Sequence, residues 1–170
     1  MSLAVYDVIV PTMLHGLYVL DNFLDHAQTL ERSKRMDPGT VLEARLAPDM
    51  LTFGEQFSVG CNKVEAHVVK LLGRDCPAPR AVAMMYPALK GRLVETRGFL
   101  QGLRPDEFDG AQSRTYELTP VVARGWFGGD DYIRYVVLPD FFFHIAIAPA
   151  ILRHLGAGVG KRDYLGNLST

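Results

Sequence analysis

The stretch Asp131-Tyr-Ile-Arg-Tyr-Val-Val-Leu-Pro-Asp-Phe-Phe-Phe-His144, continued by Ile145-Ala-Ile-Ala-Pro-Ala-Ile-Leu-Arg-His154-Leu-Gly156, decides how this chain folds. Its apolar residues cover most of the circumference of one long helix, so that helix must be buried on several sides. Asp140 and His144 stand one turn apart in its middle, on one face and about 6 Å apart at the backbone. Phe141, Phe142 and Phe143 together sweep about 200° of arc. With Tyr132, Tyr135 and Trp126 they cannot all face one core. A second surface is expected, supplied by the N-terminal helix, the C-terminal tail or another subunit.

Upstream, Leu3, Tyr6, Val10, Met13, Leu17, Leu20, Leu24 and Ala27 alternate steps of three and four, the period of helix-bundle packing. Asp7, His15, Asp21, Asp25 and Gln28 fall off that stripe. Pro11 lies inside it without a change of phase, so a kink is expected there and not a helix start. Asp37-Pro38 reads as a cap and first position of a short helix to about Ala44. A further start is expected at Pro48. Met50, Phe53, Phe57, Cys61, Val64, Val68 and Leu71 then form a second stripe, ended by Gly73. Residues 74–80 are a connector.

A third helix is expected from Met84–Pro87 onward, with Leu89, Leu93, Thr96, Leu100 and Leu103 on its face. Gly91, Gly98 and Gly102 would weaken it and open it to a close neighbour. Arg104 to Gly110 is a turn. Arg114 to Thr119 alternates and is rich in β-formers, and Arg124 to Phe127 can pair back onto it. Gly128-Gly-Asp-Asp131 then caps the fourth helix. The expected fold is all-α: a four-helix bundle over residues 1–170, a short β-hairpin before the last helix and a tail at 158–170.

Bulk properties remove several function classes. A net charge of −1 leaves no basic excess for nucleic acid or anionic lipid. Cys61 and Cys76 are too few for a disulfide framework and lack zinc-type spacing. Met1 to Asp7 has no basic segment before an apolar one, and the richest apolar run is broken by Asp140, His144 and Pro149. A cytoplasmic protein with no membrane contact is expected. Gly156 to Lys161 imitates a phosphate loop but has Leu155 and Arg162 at the two defining positions. No Glu-x-x-His pair or Gly-x-Ser-x-Gly elbow occurs.

The segments Arg45-Leu-Ala-Pro-Asp-Met50, Leu138-Pro-Asp-Phe-Phe-Phe-His144, Ala150-Ile-Leu-Arg-His154 and Gly160-Lys-Arg-Asp-Tyr-Leu-Gly166 resemble the signatures of the DUF1993 family, over essentially the whole chain. That resemblance implies the DinB/YfiT-like superfamily: a four-helix bundle, commonly dimeric. Many such proteins hold a divalent metal on three histidines, and some transfer low-molecular-weight thiols. The implied metal set takes one histidine from the second helix and a His-x-x-x-His pair from the fourth. His144 matches the first of the pair, but Ala148 stands at the second position and Gln56 at the second-helix position. Two of three ligands are missing. Either the site has lost its metal, zinc or nickel, or Asp140 supplies a compensating carboxylate.

The candidate site is therefore His144, Asp140 and Gln56. It reads as a partial metal site, as an acid–base pair in which Asp140 sets the imidazole tautomer, or as a buried histidine satisfied by its neighbour. His15, His26 and His67 fall beside or opposite their stripes and are expected at the surface. His154 is expected to interact with the end of the last helix. Two functions remain open. One is a metal-dependent or histidine-assisted transferase acting on a small molecule, such as a thiol. The other is a non-catalytic dimeric bundle with a ligand-binding or structural role.

Overall fold

The computed structural model describes residues 4–118 and 125–166. Leu3, Thr119 and Arg124 of the expected elements lie outside them. Helix α1 spans Val5–Lys34, α2 Thr40–Glu43, α3 Phe53–Leu71 and α4 Tyr86–Gln101. Strand β1 (Thr115–Glu117) pairs antiparallel with β2 (Trp126–Gly128), Tyr116 opposite Phe127. Helix α5 (Gly129–His154) and a short α6 (Lys161–Leu165) complete the chain. The long helices α1, α3, α4 and α5 form the bundle, with α5 packed on both α3 and α1. The all-α class with a small hairpin is as the sequence implied.

The two stripes make the core. Met13, Leu17, Leu20, Leu24 and Ala27 of α1 are fully buried, as are Phe53, Cys61, Val64, Val68 and Leu71 of α3. Each large side chain so buried contributes about 1.5–3 kcal/mol. Helix α1 runs through Pro11, which lies at its exposed surface. At Gly16 the backbone of α1 meets α5 closely: a Cβ there would stand 2.4 Å from Ile145 Cδ1 and 2.6 Å from Phe141 Cε1.

Three helix starts differ from expectation. Helix α2 begins at Thr40 and not at Pro38, because the anion at its start comes from α1. Buried Glu31 Oε1 accepts from the Gly39 N–H (3.1 Å) and the Val41 N–H (2.9 Å). Helix α3 begins after Thr52 and not at Pro48. The Glu55 N–H donates to Thr52 Oγ1 (3.1 Å) and the Thr52 N–H to Glu55 Oε2 (2.7 Å), a closed capping box that the T-x-x-E spacing announces. Helix α5 has no side-chain cap at Gly128; Asp130 and Asp131 lie in its first turn. Gly129 is needed there because a Cβ would stand 2.3 Å from the Ala111 carbonyl oxygen.

The expected turn at 104–110 contains a 3₁₀ segment, Pro105–Phe108. Gly91 and Gly98 admit no neighbouring helix: both are exposed, with open space where a Cβ would stand. By length and composition α5 could cross a membrane, with a mean hydropathy of 1.8, but half of that window is buried in the bundle.

Inside α5, Ile133–Val137 forms a π-helical turn, and the Leu138 N–H reaches back five residues to the Ile133 carbonyl. Pro139 gives the reason. It has no N–H, and its ring crowds the carbonyl four residues back. Widening the turn relieves that conflict by taking up one extra residue. At about 100° per residue, Tyr132 and Asp140 would stand about 80° apart around a regular helix. With one residue absorbed they fall within about 20°, on the same face.

Candidate functional site

A cleft of about 140 Å³ opens where α3, the hairpin and the first half of α5 meet. One wall is the α3 stripe Lys63, His67 and Lys70, spaced by four and three. The other carries Tyr132, Val136 and Asp140 of α5. Tyr132 is braced from behind, its ring stacked on Tyr116 of β1 with centroids 4.6 Å apart. The hairpin thus holds a side chain of the last helix in place.

His67 is the residue that the sequence reading misplaced. It is not at the surface but 7% exposed, in the middle of a hydrogen-bonded chain. Its Nδ1 lies 2.9 Å from the Tyr132 hydroxyl and its Nε2 2.9 Å from Asp140 Oδ2. The flank of α3 beside the apolar stripe is covered by α5, which a one-helix reading does not foresee. Two local signals were present: the Lys63/His67/Lys70 spacing, and a tyrosine two turns before Asp140. His15 is half-buried, its Nε2 2.7 Å from the Leu165 carbonyl oxygen, while His26 and His154 lie towards the surface.

The three expected residues do come together. His144 is 5% exposed, and its Nδ1 lies 2.7 Å from Gln56 Oε1. Gln56 is buried at 1%, and its Nε2 donates to the Leu51 carbonyl (3.3 Å). The amide oxygen accepts, so His144 carries its hydrogen on Nδ1 and presents a bare Nε2. That Nε2 stands 3.9 Å from Asp140 Oδ1, beyond hydrogen-bond range. Its partner is therefore Gln56 across the bundle and not its neighbour on the helix.

Charge explains the protonation states. Burial would raise the Asp140 carboxyl. Hydrogen bonds from His67 and from Lys63, whose Nζ is 2.9 Å away, overcome it and hold the group at about 2. Burial pushes His144 below the ordinary histidine value, with Asp140 opposing and Lys63 assisting. Burial also pushes the Tyr132 phenol up, so it stays protonated. Asp140 is thus a fixed anion between a lysine and one imidazole, with a second, neutral imidazole facing its other oxygen.

These donors do not suit a divalent ion. The Gln56 oxygen is committed to His144, Ala148 offers no ligand, and the Lys63 ammonium already occupies the cation's place at Asp140. Among the described residues no group of three or more His, Cys, Asp or Glu is arranged to hold a metal. The other thiol of interest, Cys61, is buried, and that burial pushes it to about 11, the behaviour of a small core hydrophobe.

Comparison with known proteins agrees with this architecture. No curated protein matches the chain. A crystal structure of a DinB family member protein from Shewanella denitrificans superimposes with a TM-score of 0.87 and 27% identity, covering 97% of this chain and 93% of that one. The family model described as a domain of unknown function, DUF1993, matches residues 5–165. The chain belongs to the DUF1993 family, with a DinB-like fold.

Proposed function

We propose that the cleft binds a small molecule and assists proton transfer on it through histidine, as a DinB-like transferase working without a resident metal. The observation that carries this is the hydrogen-bonded chain Tyr132–His67–Asp140 along the cleft wall. A carboxylate fixed on one imidazole nitrogen leaves the other to exchange a proton, which is the arrangement general acid–base catalysis needs. Thiols are the substrate class suggested by the family's superfamily relatives. Elemental analysis of protein purified without chelators or an affinity tag tests the metal-free part. Stoichiometric zinc or nickel in the wild type that vanishes in His144→Ala would overturn it. NMR mapping of a small-fragment library tests the cleft: shifts should centre on Lys63, His67 and Tyr132 and weaken in Asp140→Asn.

We propose in addition that the chain pairs with a second copy through the outward face of α5. Tyr135 and Phe143 are 66% and 52% exposed there, and Trp126 is 67% exposed on β2. Beside them Ala146, Pro149, Ala150 and Tyr164 line an apolar groove of about 480 Å³. Light scattering at micromolar concentration should give a dimer that Phe143→Glu dissociates; a monomeric wild type sinks this proposal. A dimer whose cleft answers no fragment would favour the non-catalytic reading.

A further inference from the structure

In a neutral His67 ring, Nε2 must carry the hydrogen, because Asp140 is an ionised carboxylate and can only accept. Nδ1 is then bare and accepts the hydrogen of the Tyr132 hydroxyl. The phenol has one hydrogen, and that hydrogen is spent on His67. Towards a ligand, its oxygen offers only lone pairs. Whatever meets Tyr132 from the cleft must donate.

The surrounding charges say what such a donor becomes. Lys63 and Lys70 flank His67 on the same α3 stripe and line the same cleft. Lys63 is paired with Asp140. Lys70 reaches the Glu117 carbonyl and lies 5.5 Å over the Tyr132 ring, with no carboxylate in ion-pair range among the described residues. An anion formed at Tyr132 would stand beside that ammonium. Glu117 also lines the cleft. The apolar remainder, Ala66, Leu118 and Val136, suits a short aliphatic body.

Resting on the cleft reading above, we propose that Tyr132 is its proton-carrying residue and that the ligand is a small molecule bearing an acidic S–H or O–H. The ligand's X–H bond breaks as a new O–H forms on Tyr132, and the phenol's own hydrogen moves to His67 Nδ1. X keeps the electron pair and becomes the anion beside the lysines. Tyr132 ends neutral, and His67 ends as an imidazolium against Asp140. No further reactant is required, and the buried phenol never has to exist as a free tyrosinate.

The test uses the full chain labelled with ¹⁵N-histidine and two probes at millimolar concentration, 3-mercaptopropionate and propionate. They share a carboxylate and differ in the thiol. With mercaptopropionate, the His67 ring nitrogens should move to the imidazolium pattern in the wild type; propionate should bind without that change. Tyr132→Phe keeps the ring stack on Tyr116, so it should fold and bind both probes while losing the imidazolium response. A Tyr132→Phe protein that responds like the wild type overturns the role of Tyr132 and leaves the cleft reading standing. An equal response to propionate overturns the protic-donor class. No perturbation of the wild type by either probe overturns the cleft reading itself.

Discussion

His144 keeps its hydrogen on Nδ1 and its ring neutral because it is buried against Gln56, and this has a measurable consequence. Its folded pKa lies below the unfolded value, so on acidification the unfolded chain takes up the proton first. The stability tied to the neutral ring is full above about pH 6.5 and is lost below it. Urea midpoints should therefore fall between about pH 7 and about pH 5.5, and His144→Asn should show a shallower fall. An unchanged slope would contradict this. Asp140 acts in a lower window: its carboxylate contribution is present above the ordinary Asp range and disappears as pH falls towards about 2. Elsewhere, buried Arg92 is held by Glu65 at 2.6 and 2.7 Å. Arg92→Ala strips that carboxylate of its partner and should cost about 3 kcal/mol in chemical denaturation. At this scale the sequence was partly legible. Asp140, His144 and Gln56 were named from spacing and resemblance and lie together, whereas His67 was read as exposed because its partners come from the last helix, 65 and 73 residues away.

The π-turn is the element-scale feature that builds the site. Pro139 was visible in the sequence, but its consequence was not, since a helix meeting a proline can kink, end or widen. Packing against α3 and the hairpin selects widening, which turns Tyr132 and Asp140 onto one imidazole. Pro139→Ala removes the cause of the widening; it should return the segment to a regular α-helix and rotate Tyr132 by about 100° relative to Asp140, away from His67. Far-ultraviolet circular dichroism should stay helical while the His67 nitrogen shifts lose the signature of the phenol hydrogen bond. Retention of that signature would show that Pro139 does not set the register of Tyr132. The T-x-x-E box at Thr52 was legible in principle, yet Pro48 drew the expected start. Thr52→Ala should cost about 1 kcal/mol in thermal or urea unfolding.

At the scale of the whole molecule, α1 meets α5 closely at Gly16. Gly16→Ala should gain up to about 1 kcal/mol of helix propensity and lose about 1–3 kcal/mol to the clash with Ile145 and Phe141, for a net loss of stability. A raised urea midpoint would mean that α5 moves aside freely. The sequence alone determined the four long helices and the inward stripes of α1 and α3. It also determined the hairpin and the burial of the last helix, because three-and-four periodicity and alternation are local properties that hydrophobic burial turns into structure. Only the tertiary structure decided which polar residues meet. His67 found Tyr132 and Asp140, His144 found Gln56, and Lys63 took the cation's place. Those pairings depend on the relative rotation of two helices far apart in the chain, and a one-residue change of register in α5 is enough to make or break them.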